Sequence, residues 1–369
     1  MATSAVAIDK PKLAIATSFA YSTEANPSLR DGAISGSSGC GLVKWCWNAA
    51  AFAALPFHIV TTEIVLLTNK PAIAGLECGV PHRSITFDSA LWSEIEQFAR
   101  AVDRSRSKGL TGAAFAMRTM IKWQLLRHSE YSAFFYLDPD VDLWYTSQPV
   151  QHRPPAEGSA AWRTLRRAWT TELSDFLRSP KMLIASIDGS VPVNTGVMLL
   201  RPEVGTYELG RRVLRTRRFD TRNGFNNSGS PRQALPLDFL SAADRTELNH
   251  SRMVRENHWD VVCADADQGL FTHVFLVLQR GIQFRLSRPR PRGQGAGFRV
   301  AHFWGHGKPW EYKTLRSCPT YLGFLDLREF RHEPSACLTM LHSTRAREKT
   351  RKAPVHPRRL CAYGEQRVF

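Results

Sequence analysis

The chain has no Cys-x-x-Cys pair, no uninterrupted apolar run long enough to span a membrane, and no glycine-rich phosphate loop, although it carries 24 glycines. Each gap removes a class. Its seven cysteines, at positions 40, 46, 78, 263, 318, 337 and 361, are odd in number and scattered, so neither a disulfide framework nor a zinc site is expected. The longest apolar-rich stretch, Trp45 to Val60, is interrupted by Asn48, Pro56 and His58 and reads as a buried helix, so no transmembrane span is expected. The opening MATSAVAIDKPK has no apolar segment of signal-peptide length, and a cleaved secretion signal is not expected. The glycosylation triplets at Asn226 and Asn249 are of a kind that arises often by chance. Cytoplasmic residence is the expectation, with the Golgi or another secretory compartment as the alternative. Without a P-loop or dinucleotide fingerprint, a nucleotide would need a metal to hold its phosphates.

What the chain does have is 369 residues, 43% of them hydrophobic, enough for one large core without staples. A net charge of +16 comes from arginine clusters at Arg211 to Arg222, Arg285 to Arg299 and Arg345 to Arg359. No zinc-finger spacing, aromatic-basic run or basic heptad array accompanies that charge, so nucleic acid is not the expected partner. The clusters read as solubilising surface and a basic tail, and they would also steer an anionic substrate.

Leu13 to Thr17 and Glu63 to Thr68 read as strands, separated by a Gly/Ser-rich segment and the apolar stretch above. Leu91, Ile95, Phe98 and Val102 recur at helical spacing after Asp88 and Ser89, either of which suits a helix start. A second helical segment runs from Thr111 to about His128, and a third from Ala161 to Leu177, with Trp162, Leu165, Trp169, Leu173 and Phe176 on one face. Met182 to Ile187, Gly196 to Leu200 and Phe298 to Phe303 read as further strands. This alternation predicts an α/β domain over residues 11–330, with loop insertions at about 22–62 and 222–262. Residues 331–369 dissolve into Arg, Lys, His and Pro and are expected to be a disordered basic tail.

Four motifs carry chemistry. In FFYLDPDVDLW, Phe134 to Trp144, an apolar strand pattern stops at Asp138 and Asp140. Two ionised carboxylates about 4 Å apart repel by roughly 4 kcal/mol at an effective dielectric near 20, so the pair suggests a hard cation, magnesium or manganese, between them. In PVNTGVMLLRP, Asn194, Thr195 and Gly196 form a polar turn into a strand; Asn194 is suited to sugar hydroxyls and Gly196 to close backbone approach. In ADADQGLF, Asp265, Asp267 and Gln268 precede a helical run, either as capping acids or as groups beside a reacting centre of positive character. In VAHFWGHGKPW, His302 is a candidate third metal ligand, while Gly305 and Lys308 are candidates for phosphate oxygens.

Taken in this order, the motifs resemble glycosyltransferase family 8, in particular its glycogenin-like branch. The resemblance spans Leu13 to about Tyr312. It implies a GT-A fold, a Rossmann-like mixed central sheet flanked by helices, and a manganese-dependent retaining transfer of a hexose from a UDP-sugar, with magnesium as the alternative metal. It further implies Asp138, Asp140 and His302 as metal ligands, and Asn194, Thr195, Gly196, Gly305 and Lys308 around the donor. Asp267 and Gln268 match positions at the donor sugar. Thr17 and Tyr21, from the segment ATSFAY, would contact the nucleotide, with Tyr21 stacking on uracil. Lys122 stands at the spacing of a donor-contacting lysine in that branch; read alone, it is a solvated helix lysine. The region on which the branch glucosylates itself corresponds to Leu270 to Phe298, which holds no tyrosine, so an external carbohydrate, lipid or protein acceptor is implied. A haloacid-dehalogenase-type phosphatase also places Asp-x-Asp after a strand, but usually with Thr or Val where this chain has Asp142.

Overall fold

Several apolar runs of the sequence become strands that are buried on both faces. The computed structural model of the chain describes residues 10–20, 37–72, 78, 80–102, 112–145, 156–226, 237–284 and 299–302. The first half holds β1 (Lys12–Phe19), α1 (Ser37–Ala53), β2 (Thr61–Thr68), β3 (Arg83–Thr86), α2 (Ser89–Ala101) and α3 (Ala113–Met120), which tightens into a 3-10 segment, Ile121–Arg127. Then follow β4 (Ala133–Leu137), β5 (Val141–Tyr145), α4 (Ala160–Arg178), β6 (Leu183–Ser186), β7 (Asn194–Leu200) and α5 (Val204–Arg215). The small hairpin β8 (Phe219–Asp220) and β9 (Gly224–Phe225) precedes α6 (Ala242–Leu248), α7 (Arg252–Glu256) and α8 (Asp267–Phe271). A π-helical turn, Thr272–Leu278, continues α8, and β10 (Ile282–Phe284) and β11 (Arg299–His302) come last.

Seven strands form the central sheet in the order β10-β6-β7-β4-β1-β2-β3. All neighbours are parallel except at β7, which runs antiparallel to both β4 and β6. The architecture is therefore mixed α/β and compatible with a Rossmann-like fold. From β1 the chain winds outward through β2 and β3, then returns to place β4 on the other side of β1. That reversal is a topological switch point, and the crevice outside the carboxyl ends of β1 and β4 is where such sheets take ligands.

Strand residues alternate between two cores. Ala14, Ala16, Phe134, Tyr136, Met198 and Leu200 join one with Leu91, Ile95 and Phe98 of α2; Leu13, Ile15, Phe135 and Leu199 join the other with Trp45 and Phe52 of α1 and Trp169 and Phe176 of α4. Asp88 caps α2 by accepting the amides of Ala90 and Leu91, which settles the choice between Asp88 and Ser89. α1 occupies much of the segment expected as the first loop insertion, because its apolar face covers one side of the sheet. The second expected insertion includes β9, α6 and α7. The basic tail at 331–369 lies outside the described residues.

The expectation drawn from the scattered cysteines is overturned. Cys46 of α1 is disulfide-bonded to Cys78, with Cα atoms 5.5 Å apart. Residue 78 follows β2, and α1 packs on β2, so the fold brings together two cysteines that sequence spacing leaves unconnected. Among the described residues no helix is long and apolar enough to cross a membrane.

Candidate functional site

β4 is buried throughout and releases the chain at Asp138. There the Asp138 amide donates to the Gly196 carbonyl at 2.8 Å, and the Asp138 carbonyl accepts the Val141 amide at 3.0 Å, closing a turn over Pro139 and Asp140. Proline at the second turn position presets the backbone for this reversal. Asp140 is buried, while the Asp138 side chain keeps 26% of its surface exposed. Tyr136 donates its hydroxyl to Asp138 Oδ1 at 2.8 Å and lies 2.8 Å from Ser18 Oγ, so β1 and β4 jointly orient the carboxylate.

Lys122, from the 3-10 segment Ile121–Arg127, is 1% exposed and is no solvated helix lysine. Its ammonium lies 2.8 Å from Asp267 Oδ2, 3.2 Å from the Thr195 carbonyl and 3.3 Å from Asp138 Oδ1. Burial opposes the charge, but Asp138 and Asp267 outweigh it and hold the ammonium's pKa well above the ordinary lysine value. The reciprocal holds for Asp267: burial would raise it, yet Lys122 and the Thr195 hydroxyl keep it below the usual carboxylate range.

Asp267 opens α8, but the preceding Ala266 is the cap position and makes no side-chain cap bond. Asp267 is thus not the N-cap but an acid in the first turn of α8, and its carboxylate takes the Thr195 hydroxyl at 2.5 Å and Lys122. Gln268, next in line, is only partly buried. The turn into α8 is tight: Cys263 takes a left-handed φ of 67°, and a Cβ on Gly269 would sit 1.7 Å from the Ala264 carbonyl oxygen. Only glycine lets the helix start there. Cys263 is the site's free thiol; burial, with Asp267, Asp188 and Asp265 acting in the same sense, pushes it up.

Asn194, Thr195 and Gly196, expected as a polar turn before a strand, are instead the buried first residues of β7, where Asn194 pairs with Ser186 across a register shift. Asn194 Oδ1 accepts the Gly196 amide at 2.8 Å and its Nδ2 donates to Asp188 Oδ2 at 3.1 Å. Gly196 thus ties the second motif to the first through its carbonyl. Thr17 is fully buried near the same end of β1, and among the described residues its hydroxyl has no hydrogen-bond partner. Strand alternation puts it on the face of Ile15 and Phe19, opposite Ser18 and Tyr136.

β11 pairs antiparallel with β5, outside the central sheet, and sets His302 opposite Val141, the residue after Asp140. The fold thereby brings the backbone of the fourth motif to the turn of the first. The His302 side chain, and Tyr21, Gly305 and Lys308, lie outside the described residues. Among the described residues no group of three or more His, Cys, Asp and Glu side chains is placed to hold a metal ion. Asp138 and Asp140 on one turn supply the hard oxygen donors that magnesium or manganese prefers.

Tyr136, Ser18 and Asp188 belong to the site without having been singled out from sequence. Tyr136 was within reach of such reading, because two residues along a strand return to the same face as Asp138. In comparison with known proteins, no protein-family model matches the chain, and no curated protein matches it.

Proposed function

We propose that this chain is a metal-dependent retaining glycosyltransferase of the family 8 kind, with a GT-A fold, moving a hexose from a UDP-sugar to an external acceptor hydroxyl. The observation that carries the reading is the β5–β11 pairing, which sets His302 against the turn holding Asp138 and Asp140. That pairing brings the backbone of His302, from far along the chain, to the Asp-x-Asp turn near the switch point of the sheet, which supports a shared metal site.

In this reading Asp138, Asp140 and His302 hold manganese or magnesium, which when bound neutralises charge on the diphosphate leaving group. Lys308 and Gly305 would hold phosphate oxygens, and Thr17 and Tyr21 the nucleotide. Asp267 and Gln268 sit beside the donor sugar, where a carboxylate kept ionised by Lys122 stabilises positive character at the anomeric carbon. Asn194, Thr195 and Gly196 build the rigid edge on which the sugar rests. The Cys46–Cys78 disulfide favours the secretory-compartment alternative, because such bonds persist where the surroundings are oxidising.

A second reading, a binding protein that holds the nucleotide-sugar without turning it over, is favoured by the 3% exposure of Asp267. A panel of UDP-sugars, with and without manganese, separates the two when the product anomer is read by NMR. Metal-dependent release of UDP with retained anomeric configuration supports the transferase; binding without release supports the second reading, and inversion or no binding removes the first.

A further inference from the structure

The resemblance put Lys122 on the donor, but the coordination of its ammonium argues for another role. A lysine ammonium has three N–H donors and no acceptor. Three acceptors from three elements surround Lys122 Nζ: Asp267 Oδ2 of α8 at 2.8 Å, the Thr195 carbonyl of β7 at 3.2 Å, and Asp138 Oδ1 at the end of β4 at 3.3 Å. The Tyr136 ring covers a further side, its centroid 4.6 Å from the nitrogen. With 1% of the residue exposed and an acceptor for each of its three N–H groups, the ammonium has no spare donor for a ligand.

We infer that Lys122 is a positioning residue: it locks the metal-side Asp138 and the sugar-side Asp267 to one another from beneath the site and does not touch the donor. This rests on the proposed UDP-sugar site. The separation of the two carboxylates sets the distance from metal to anomeric carbon, so Lys122 acts on the chemical step through Asp267. A residue that gripped the donor would act on donor affinity instead.

The test is a double-mutant cycle of Lys122→Met and Asp267→Asn with manganese present, reading kcat for UDP-sugar hydrolysis and the Kd of UDP-sugar and of UDP by calorimetry. Lys122→Met alone leaves Asp267 buried without its counter-charge and is the variant at risk of not folding. The double variant replaces the ion pair with neutral groups of similar size, so its comparison with Asp267→Asn decides the matter by itself. The expected result is a double variant within about threefold of Asp267→Asn in kcat, and Kd for UDP-sugar within about threefold across the cycle. Losses that multiply, or a UDP-sugar Kd weakened about tenfold or more by removing Lys122 while that of UDP is unchanged, overturn the inference. If the native chain binds UDP-sugar without turnover, the Kd comparison alone decides. If the native chain does not bind UDP-sugar at all, the proposed function fails and this inference falls with it.

Discussion

The backbone amide of Asp138 donates to the carbonyl of Gly196 at 2.8 Å, fastening the Asp-x-Asp turn to the strand that carries Asn194 and Thr195. Because this bond is made by main-chain atoms, it does not depend on the Asp138 carboxylate. The variant Asp138→Asn therefore tests the carboxylate's charge with the turn in place. The proposed metal-dependent UDP-sugar hydrolysis is expected to fall by on the order of a thousandfold, with thermal unfolding close to native. Near-native turnover in this variant removes the metal-ligand assignment.

Gly269 is predicted to be irreplaceable for a steric reason. A Cβ there would lie 1.7 Å from the Ala264 carbonyl oxygen, a backbone atom that cannot rotate away. Gly269→Ala must push α8 off the Cys263–Ala266 turn and carry Asp267 away from Lys122. A destabilisation of about 3 kcal/mol is expected, at the upper end of ordinary overpacking, measured as a shift in the urea midpoint. An unchanged midpoint would mean that the turn is built differently.

Much of this arrangement was legible in the sequence where a period or a cap wrote it. Leu91, Ile95 and Phe98 lie buried along α2 as their spacing implied, Asp88 caps that helix, and Leu165, Trp169, Leu173 and Phe176 line the inner face of α4. The strand ending at Asp138 was equally plain, since a run apolar on both faces has few other uses in an α/β domain. β3, the short strand Arg83–Thr86, was not visible, because an edge position leaves its alternate residues polar. Lys122 looked like a surface residue because helical periodicity cannot show that two acids from remote segments wait for it. The Cys46–Cys78 bond was hidden for the same reason: it depends on where α1 docks, and no local pattern encodes that.

That bond yields a stability prediction. It closes a loop between residues 32 positions apart, and a cross-link of that span restricts the unfolded chain enough to stabilise the fold by about 3–4 kcal/mol. Cys46→Ala with Cys78→Ala should lower the urea stability by that amount, and reductant should do the same to the native chain while leaving the double variant unaffected. A native chain indifferent to reductant would show that the two thiols are not joined in solution.

His273 provides the pH prediction. It is buried in the π-helical turn Thr272–Leu278, its ring stacked on Phe225 at 5.8 Å between centroids and facing Trp259 at 6.5 Å. Burial lowers its pKa from 6.5 to about 4. As pH falls below about 6.5 the unfolded chain takes up a proton that the folded histidine refuses until about 4, so the folded state loses stability across that window and gains none of it back below. The group's contribution to this loss is about 3 kcal/mol at most, from the size of the shift. His273→Gln removes the titration: although the variant starts less stable, its stability should decline more gently between pH 6.5 and 4 than that of the native chain. Denaturant unfolding at half-unit pH steps measures the two slopes, and parallel curves would show that the imidazole titrates alike in the folded and unfolded states.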